Sequence, residues 1–388
     1  MRARALSIIT IFFLGGCASP PGQSVRFCEN DSYQIDARFE AGNFHSCSID
    51  RIGAATLAIR PEDEPPINES PWYAFRINPK APGEVTVRLN FVDGYARYWP
   101  KVSLDGINWR PMDESRVARS DDGNSMKLRL LLDEEVVWVA GQALVTTSYY
   151  DEWIRELAAR DDIETALLGR SVQGRAIHVA KSPTLPDVVL LIGRQHPPEV
   201  TGALAMRRFV DTVLGDSPLA RQFRDRYMVV IIPLLNPDGV VLGHWRHNVN
   251  GVDLNRDWGP FTQPETQSAE RLLRDFDQLG LKIRLMLDFH STKSNKFYTQ
   301  LRDDGTVPEH FATNWLSRAR QRLPDFEFEH AARERSDQAN TKNYFFKRFG
   351  IPAITYELGD ETDRDEIDSS SPIFAEEMMR VLLEYKSE

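Results

Sequence analysis

The sequence is poor in cysteine, in excess positive charge and in long hydrophobic runs. It has three cysteines in 388 residues, and acidic residues outnumber basic ones to give a net charge of −10. Proteins that bind nucleic acid normally carry a basic surface, so this charge argues against a nucleic-acid partner. No stretch of about 18 apolar residues occurs, so no membrane-spanning helix is expected. An apolar content of 41% and a charged content of 27% are instead typical of a soluble globular protein with more than one core.

The N-terminal residues are typical of an export signal. "MRARALSIITIFFLGGCASP" begins with Arg2 and Arg4, continues with a short apolar stretch and ends in small residues around Cys17. "LGGC" resembles the bacterial lipobox, which implies a signal peptide over residues 1–16 and a lipidated Cys17. Ala18 follows, not aspartate, which by the same resemblance favours the outer membrane. We therefore expect a lipoprotein of the bacterial cell envelope, on the periplasmic side, whose only membrane contact is its lipid. The alternative is ordinary signal cleavage beside an incidental cysteine.

Two cysteines remain, Cys28 and Cys47. In an oxidising periplasm such a pair predicts one disulfide, and the alternative is two free thiols. Their spacing lacks the close cysteine pairs of zinc motifs, so the pair is not expected to bind metal.

The chain divides near residue 147. Residues 17–30 include the small, polar and proline-rich "ASPPGQS" and are predicted to form a tether. Residues 31–146 alternate strand-like runs, such as "EVTVRLNFV" and "MKLRLLL", with turn signals such as "VDGY" and "DDGN". No helical periodicity interrupts these runs, so an all-β sandwich is predicted here.

Residues 147–388 have a different pattern of apolar residues. "DVVLLIG", "YMVVIIPLL", "IRLMLDF" and "PAITYEL" are near-continuous apolar runs, separated by helical segments such as "PETQSAERLLRDF". This pattern predicts an α/β domain with a mixed, largely parallel sheet flanked by helices. Sites in such domains lie in the loops beyond the carboxyl ends of the strands.

Three polar residues stand at such strand ends. His196 follows "DVVLLIG", where Pro197 and Pro198 stop the strand and suit the first turn of a helix that Glu199 enters. "IRLMLDFHS" places His290 at the end of a second strand. Two histidines and a glutamate with an open coordination position form a catalytic zinc set. The H-x-x-E spacing alone is weak evidence, because it occurs by chance in many proteins.

The segment between these histidines resembles the M14 metallocarboxypeptidases, a family of zinc exopeptidases. "NPDG" and "GVDLNR" match the family nearly letter for letter, and "GRSVQGR", "HPPE", "DFHS" and "TYELGD" stand in the family's order. The resemblance covers residues 147–388. The β-sandwich predicted before them makes the chain similar to the cytosolic-carboxypeptidase branch. The resemblance implies a zinc carboxypeptidase-like fold and a peptide substrate with a free C-terminal carboxylate.

The resemblance also implies a metal site. It assigns His196, Glu199 and His290 as ligands of one Zn²⁺ per chain. Asp253 of "VDLNR" matches the carboxylate that orients the first ligand histidine, since metal-bound histidines commonly need a partner on their second nitrogen.

The residues that act on the substrate follow in the same way. Asn255 and Arg256 match the pair that binds the terminal carboxylate, a task that suits the fork of a guanidinium group. Arg246 of "HWRHN" matches the arginine that polarises the scissile carbonyl and stabilises its oxyanion. Glu357 of "TYELGD" matches the general base. The alternatives are a surface salt bridge for Asn255 and Arg256 and a solvated strand-end position for Glu357. Arg246 has nearby competitors for its role, including His244 and His247.

Lys342 is the candidate specificity residue. It lies fifteen positions before Glu357, where digestive members carry the residue at the base of the side-chain pocket. It also aligns with a basic residue of the cytosolic carboxypeptidases that remove glutamates. This predicts a preference for an acidic C-terminal residue. The alternatives are a solvated loop lysine, or a one-residue slip that would substitute Thr341 or Asn343.

One departure from the family concerns a tyrosine on a mobile loop of the digestive members. Arg335 stands in that region here, and the sequence offers no convincing equivalent. Tyr344 is not proposed as one.

Two other functions remain open. A murein-peptide amidase or N-acyl amino acid deacylase of the same fold would be expected to have an altered carboxylate clamp. A non-catalytic binding lipoprotein using its β-sandwich would be expected to have lost ligands or base. "DLNRDW", the three ligands and Glu357 are all present, which favours a carboxypeptidase. The sequence carries no prediction of oligomeric state.

Overall fold

The computed structural model describes residues 26–301, 303–333 and 337–385. The predicted signal peptide, Cys17 and Arg335 lie outside the described residues. Among those that are described, no helix combines the length and apolar character needed to cross a membrane. The chain forms a β domain followed by an α/β domain, as the sequence predicts.

The N-terminal domain consists of two packed sheets. Its strands are β1 (Phe27–Glu29), β2 (Tyr33–Asp36), β3 (Ser46–Ile49), β4 (Ala55–Ile59), β5 (Ala74–Pro79), β6 (Gly83–Phe91), β7 (Lys101–Ser103), β8 (Arg110–Pro111), β9 (Val117–Arg119), β10 (Ser125–Leu132) and β11 (Val137–Ala140). One sheet has the order β1-β2-β5-β11-β7-β8 and the other β3-β4-β6-β10-β9. A 3-10 turn, Glu114–Arg116, precedes β9. Strands β6 and β10 alternate buried and exposed residues, because one face of their sheet packs on the opposite sheet.

The start of this domain corrects a predicted boundary. Strand β1 lies within residues 17–30, which the sequence analysis assigned to a tether, so the folded domain begins before residue 31. The strand pairs antiparallel with β2, and its Cys28 forms a disulfide with Cys47 of β3. Because β1 and β3 belong to different sheets, this disulfide connects the two layers of the sandwich.

The C-terminal domain is an eight-stranded mixed sheet with helices on both faces. Its helices are α1 (Thr147–Ala158), α2 (Val200–Val213), α3 (Pro218–Arg224), α4 (Pro237–Leu242), α5 (Pro264–Leu279), α6 (Phe311–Arg322), α7 (Thr341–Phe349) and α8 (Arg364–Glu384). Its strands are β12 (Glu164–Arg170), β13 (Ala176–Lys181), β14 (Asp187–Gly193), β15 (Tyr227–Ile232), β16 (Lys282–Thr292), β17 (Lys296–Thr299), β18 (Glu329–Ala332) and β19 (Ala353–Gly359). Two short 3-10 turns span Leu254–Arg256 and Asp303–Gly305.

The sheet order is β12-β13-β15-β14-β16-β19-β17-β18. The four central strands β15, β14, β16 and β19 are parallel, and the strands outside them join with mixed direction. One face is covered by a core that includes Phe209 of α2 and Trp315 of α6, and the other by a core that includes Phe276 of α5 and Phe345 of α7. Because both faces are buried, β15 is buried at every position, which explains its continuous apolar run.

Candidate active site

The predicted site residues meet in a cleft at the carboxyl ends of three neighbouring strands, β14, β16 and β19. The cleft has a volume of about 610 Å³. His196 and Glu199 lie in the connection from β14 to α2, His290 lies in β16 and Glu357 lies in β19. In the β16–β19 ladder, His290 pairs directly with Glu357. Neighbouring parallel strands end at the same edge of a sheet, so these four residues converge although they are distant in sequence.

A tight corner after β14 brings His196 into the cleft. Arg194 adopts a left-handed φ of 52°, and its guanidinium donates to the carbonyl oxygen of Pro197 at 2.9 and 2.7 Å. Helix α2 then packs directly on β16. A Cβ at position 202 would lie 2.1 Å from the carbonyl oxygen of His290, so Gly202 is what allows this close approach of helix and strand.

Three side chains of the cleft form a candidate metal site. The Nδ1 atoms of His196 and His290 lie 2.8 Å from Oε1 and 2.7 Å from Oε2 of Glu199, respectively. The two Nδ1 atoms are 3.2 Å apart. All three residues are buried, and their ligand atoms lie within 4.8 Å of one another.

The chemistry of these donors fits a zinc ion. The second ring nitrogen of each histidine faces a carboxylate: Nε2 of His196 lies 3.0 Å from Oδ1 of Asp253, and Nε2 of His290 lies 2.8 Å from Oδ2 of Asp288. Donation of both Nε2 protons to these carboxylates leaves two Nδ1 lone pairs directed at each other, an arrangement that a cation between them stabilises. Two imidazoles and one carboxylate are a common protein ligand set of catalytic zinc.

Asp253 connects three parts of the site. Besides His196, its Oδ1 accepts from the backbone N–H of Asn255 at 2.9 Å, and its Oδ2 accepts from Nε of Arg246 at 2.7 Å. Burial raises the pKa of Asp253, but the neighbouring His196 ring and the Arg246 guanidinium outweigh it and hold this pKa well below its usual range. Asp253 therefore stays ionised and holds His196, Arg246 and the turn that carries Asn255 in place.

Asp288 is a site residue that the sequence analysis missed. It is fully buried, and its Oδ2 also accepts from Nε2 of Gln195 at 2.7 Å. Gln195 in turn donates to Oγ1 of Thr341 at 2.8 Å. A signal was present in "LDFH", because residues two apart in a strand face the same side, which places Asp288 and His290 together.

Glu357 faces the same cleft from β19. Among the described residues, its Oε2 is buried without a hydrogen-bond partner. Burial and the nearby charge of Glu199 raise the pKa of Glu357 to about 8, while His290 and Arg246 oppose this rise. A carboxyl group that ionises near neutral pH suits a group that takes and returns a proton.

The cleft also contains the predicted substrate-binding residues. Arg246 is 6% exposed and Asn255 is 8% exposed, and both line the cavity together with the more exposed Arg256. The side-chain oxygen of Asn255 accepts from both the backbone N–H and the hydroxyl of Thr341, at 3.0 and 2.9 Å. The amide nitrogen of Asn255 therefore lies on the side of His290, at 3.4 Å from its Nε2.

Comparison with known protein families identifies the family to which this chain belongs. The family of zinc carboxypeptidases, the M14 peptidases, matches residues 150–366, which is more than half of the chain. The chain belongs to the zinc carboxypeptidase family. The cytosolic carboxypeptidase N-terminal domain matches residues 35–141, in the β-sandwich.

Curated relatives agree with this family. This chain is 26% identical over 328 residues to cytosolic carboxypeptidase 2 of Xenopus tropicalis, an alignment that covers 72% of this chain and 33% of the relative. It is 32% identical over 145 residues to cytosolic carboxypeptidase 6 of Homo sapiens, covering 34% of this chain and 29% of the relative. The chain thus spans about a third of the length of the relatives it matches.

Solved structures share the two-domain fold. A metallo-carboxypeptidase from Burkholderia cenocepacia superimposes with a TM-score of 0.76 at 20% identity, covering 90% of this chain and 98% of the other. A metallo-carboxypeptidase from Pseudomonas aeruginosa gives a TM-score of 0.68 at 19% identity, with coverage of 90% and 98%. At these identities the likeness shows the fold alone.

Lys342 lines the cleft, in the first turn of α7. It is 7% exposed, and its Nζ donates to the carbonyl oxygens of Thr299 and Arg333 at 3.2 and 3.1 Å. Tyr298 and Arg333 line the same end of the cavity, with the guanidinium of Arg333 5.3 Å from the centre of the Tyr298 ring. Lys342 is therefore not a solvated loop residue, and two carbonyl oxygens hold its ammonium group in place.

Tyr344, which the sequence analysis did not propose as the family's loop tyrosine, does not line the cleft. Its ring packs near Trp258 and Phe261, and its hydroxyl accepts from Arg348 at 2.6 Å. The tyrosines that line the cleft are Tyr95 and Tyr298.

The β-sandwich supplies one wall of the cleft. Its lining residues are Ile67, Asn68, Glu69, Tyr95 and Arg97. Arg97 is buried and donates through Nε and Nη2 to both carboxylate oxygens of Asp360, at 2.8 and 3.1 Å. Sequence reasoning missed this wall, because no pattern in a single sequence shows which loops of two domains will touch.

Proposed function

We propose that the chain cleaves the C-terminal peptide bond of peptides, with Glu357 as the general base. The observation that carries this proposal is the buried, unpartnered oxygen of Glu357 on the strand beside His290. A desolvated carboxyl group beside two imidazoles and a carboxylate is destabilising for folding, so its presence is best explained by function. The proposed metal is one Zn²⁺ held by His196, Glu199 and His290.

The zinc ion, when bound, would lower the pKa of a coordinated water towards about 7 and polarise a substrate carbonyl. Glu357 accepts the proton that this water loses and returns it to the leaving amine. Arg246, whose Nε is fixed by Asp253 at 2.7 Å, presents the rest of its guanidinium group to the developing oxyanion. Asn255 and Arg256 bind the terminal carboxylate of the peptide, which restricts cleavage to the chain end.

A preference for an acidic C-terminal residue is supported by the charges of the cleft. Six basic side chains line it, compared with three acidic ones, although the whole chain is acidic. Lys342 and Arg333 stand together at one end of the cavity, where a terminal side chain would enter. An acidic side chain would add a charge-assisted contact with these two cations, whereas an apolar side chain would add none.

We also propose that the mature chain starts at a lipidated Cys17 and acts in the bacterial cell envelope. The support is the lipobox-like "LGGC" after a short apolar segment. The disulfide between Cys28 and Cys47 agrees with export to an oxidising compartment. Mass spectrometry of the membrane fraction tests this, and a chain that begins before residue 17 or lacks lipid would contradict it.

The test of the activity uses blocked dipeptides with free or amidated C-termini, with zinc content measured in parallel. We expect hydrolysis of the free-acid peptides only, and loss of both zinc and activity in His196→Ala. His178→Ala, a change on β13, is the matched control and should retain both. Equal cleavage of amidated peptides would indicate an amidase instead, and a zinc-loaded protein that cleaves neither form would indicate a binding lipoprotein.

A further inference from the structure

The loop that carries Arg246 is held by the other domain. Residues 243–253 connect α4 to the turn with Asn255, and three consecutive backbone N–H groups of this loop donate to a single carboxylate, that of Glu62. The N–H of Trp245 donates to Oε2 at 2.6 Å, and those of Arg246 and His247 donate to Oε1 at 2.8 and 2.7 Å. Glu62 belongs to the β-sandwich, between β4 and β5.

The residue before Arg246 is inserted into the sandwich itself. Trp245 is fully buried and packs in the hydrophobic core of the N-terminal domain. Gly94 makes room for its indole, since a Cβ at that position would lie 2.9 Å from the ring. The loop is therefore anchored on the N-terminal domain both by an aromatic side chain and by three charge-assisted hydrogen bonds, which are stronger than neutral ones.

The two ends of Arg246 are thus fixed by different domains. Glu62 and the pocket of Trp245 determine where its backbone lies, and Asp253 of the α/β domain determines where its guanidinium lies. The position of an oxyanion donor must be accurate, because a misplacement of about 1 Å can reduce the rate about a hundredfold.

We propose that Glu62 is a positioning residue of the active site: by binding the amides of residues 245–247, the β-sandwich sets the position of Arg246 for the transition state. The inference rests on the proposed role of Arg246. In this proposal the N-terminal domain contributes to catalysis by positioning Arg246, in addition to lining the cleft.

Glu62 also stands near Asp63 and His247, a set that could hold a cation. Both oxygens of Glu62 already accept hydrogen bonds from the loop, and Oδ2 of Asp63 already lies 2.6 Å from Nδ1 of His247. The contacts are therefore satisfied without an ion, which favours the positioning role.

The first test measures catalysis in the full-length, zinc-loaded protein. Glu62→Ala should lower kcat about ten- to a hundredfold with KM changed less than about threefold, since the interaction with Arg246 matters mainly in the transition state. Glu62→Gln, which keeps one acceptor oxygen, should lose less. Glu64→Gln, an exposed carboxylate two positions away, is the control and should behave as wild type. Zinc content should stay at one ion per chain in all variants.

The second test separates positioning from general destabilisation. In the background of Arg246→Ala, Glu62→Ala should have little further effect on kcat, because it acts through the side chain that has been removed. Hydrogen exchange of the amides of residues 245–247 should accelerate in Glu62→Gln while exchange in β14 and β16 is unchanged.

Several results would overturn the proposal. A full further loss from Glu62→Ala in the Arg246→Ala background, unchanged exchange at residues 245–247, or loss of a metal ion in Glu62→Gln would each do so. Failure of the underlying function looks different: Arg246→Ala by itself would then keep normal turnover, whatever the behaviour of Glu62.

Discussion

The two walls of the cleft are built by different means. On the α/β side, the polar groups follow the ends of buried parallel strands, and their side chains face the cavity directly, as His290 and Glu357 do. On the sandwich side, loop residues bind parts of the other domain: Glu62 binds backbone amides, and Arg97 binds Asp360. The first wall supplies the proposed reacting groups, and the second holds neighbouring groups in position.

This difference explains why the α/β side is the one that sequence identifies. A strand end places a side chain in the same location whatever the neighbouring domain does. A loop contact between domains depends on how both domains pack, so it can be lost while each domain remains folded. Variants of the α/β wall should therefore affect metal and chemistry, and variants of the sandwich wall should affect stability and geometry.

The largest effect is expected at the reacting groups. Glu357→Gln should lower kcat by about two to four orders of magnitude, as the loss of general acid–base catalysis usually does. Zinc content should be unchanged, because Glu357 is not a proposed ligand. Stopped assays on a blocked dipeptide together with metal analysis measure both, and near-normal turnover in this variant would refute the general-base role.

The pH dependence of stability gives an independent check on Glu357 in the metal-free protein. Its folded-state pKa of about 8 lies above the ordinary value of 4.5. As pH rises, Glu357 therefore loses its proton in the unfolded chain before it does so in the native state. Between the unfolded pKa of 4.5 and the folded pKa of about 8, this difference makes the native state progressively less stable. Glu357→Gln removes the effect, so its advantage in free energy of unfolding over wild type should grow between pH 5 and pH 8. A constant difference across this range would show that the carboxyl group is not desolvated.

Arg97→Met tests the sandwich wall. Removing the guanidinium leaves the carboxylate of Asp360, which is 5% exposed, buried without its ion pair. Breaking such a buried pair destabilises a protein by about 3–5 kcal/mol. Lys80→Met, which removes the exposed pair of Lys80 with Glu29, should change stability by no more than about 1 kcal/mol. Urea unfolding measures the loss of stability in both variants. Equal losses would show that the Arg97–Asp360 pair in the cleft wall contributes no more to stability than an exposed ion pair does.

Asp288→Asn tests whether Asp288, which the sequence analysis missed, contributes as much to zinc affinity as Asp253 does. Both carboxylates face the second nitrogen of a proposed ligand histidine, at 2.8 and 3.0 Å. Loss of such a partner typically weakens metal binding about ten- to a hundredfold. Competition with a chelator should show this loss for Asp288→Asn and for Asp253→Asn. Asp187→Asn, at the opposite end of β14, should bind zinc as wild type does, and unchanged affinity in Asp288→Asn would count against its role.

The smallest and most specific effect is expected at Lys342. A charge-assisted contact contributes about 1.5–3 kcal/mol, which corresponds to about ten- to a hundredfold in kcat/KM. We expect wild type to prefer terminal glutamate to leucine by this factor, and Lys342→Ala to flatten the preference. Lys347→Ala, on the exposed side of the same helix, should leave it intact. A wild type that prefers leucine or lysine would show that the pocket is assigned wrongly.

The sequence by itself determined the order of the two domains and the strand ends that carry His196 and His290. These depend on periodicity and turn chemistry, which are properties of short segments. The disulfide of Cys28 with Cys47 was predicted from the number of cysteines and the expected export. The family resemblance added Glu357, Arg246, Asn255 and Lys342, which line the cleft, and Asp253, which contacts His196. The start of the sandwich was predicted too late, because the three residues of β1 are too few to show an alternating pattern.

Only the tertiary structure decided the rest. The contact of Asp288 with His290 depends on the rotamers of two buried side chains. The two hydrogen bonds of the Lys342 ammonium group depend on the positions of the carbonyl oxygens of Thr299, at the end of β17, and of Arg333, just after β18. Arg97 and Asp360 are 263 positions apart, and Arg246 and Glu62 are 184 apart. No local pattern encodes such pairs, because they form only when two separately folded domains pack with one particular orientation.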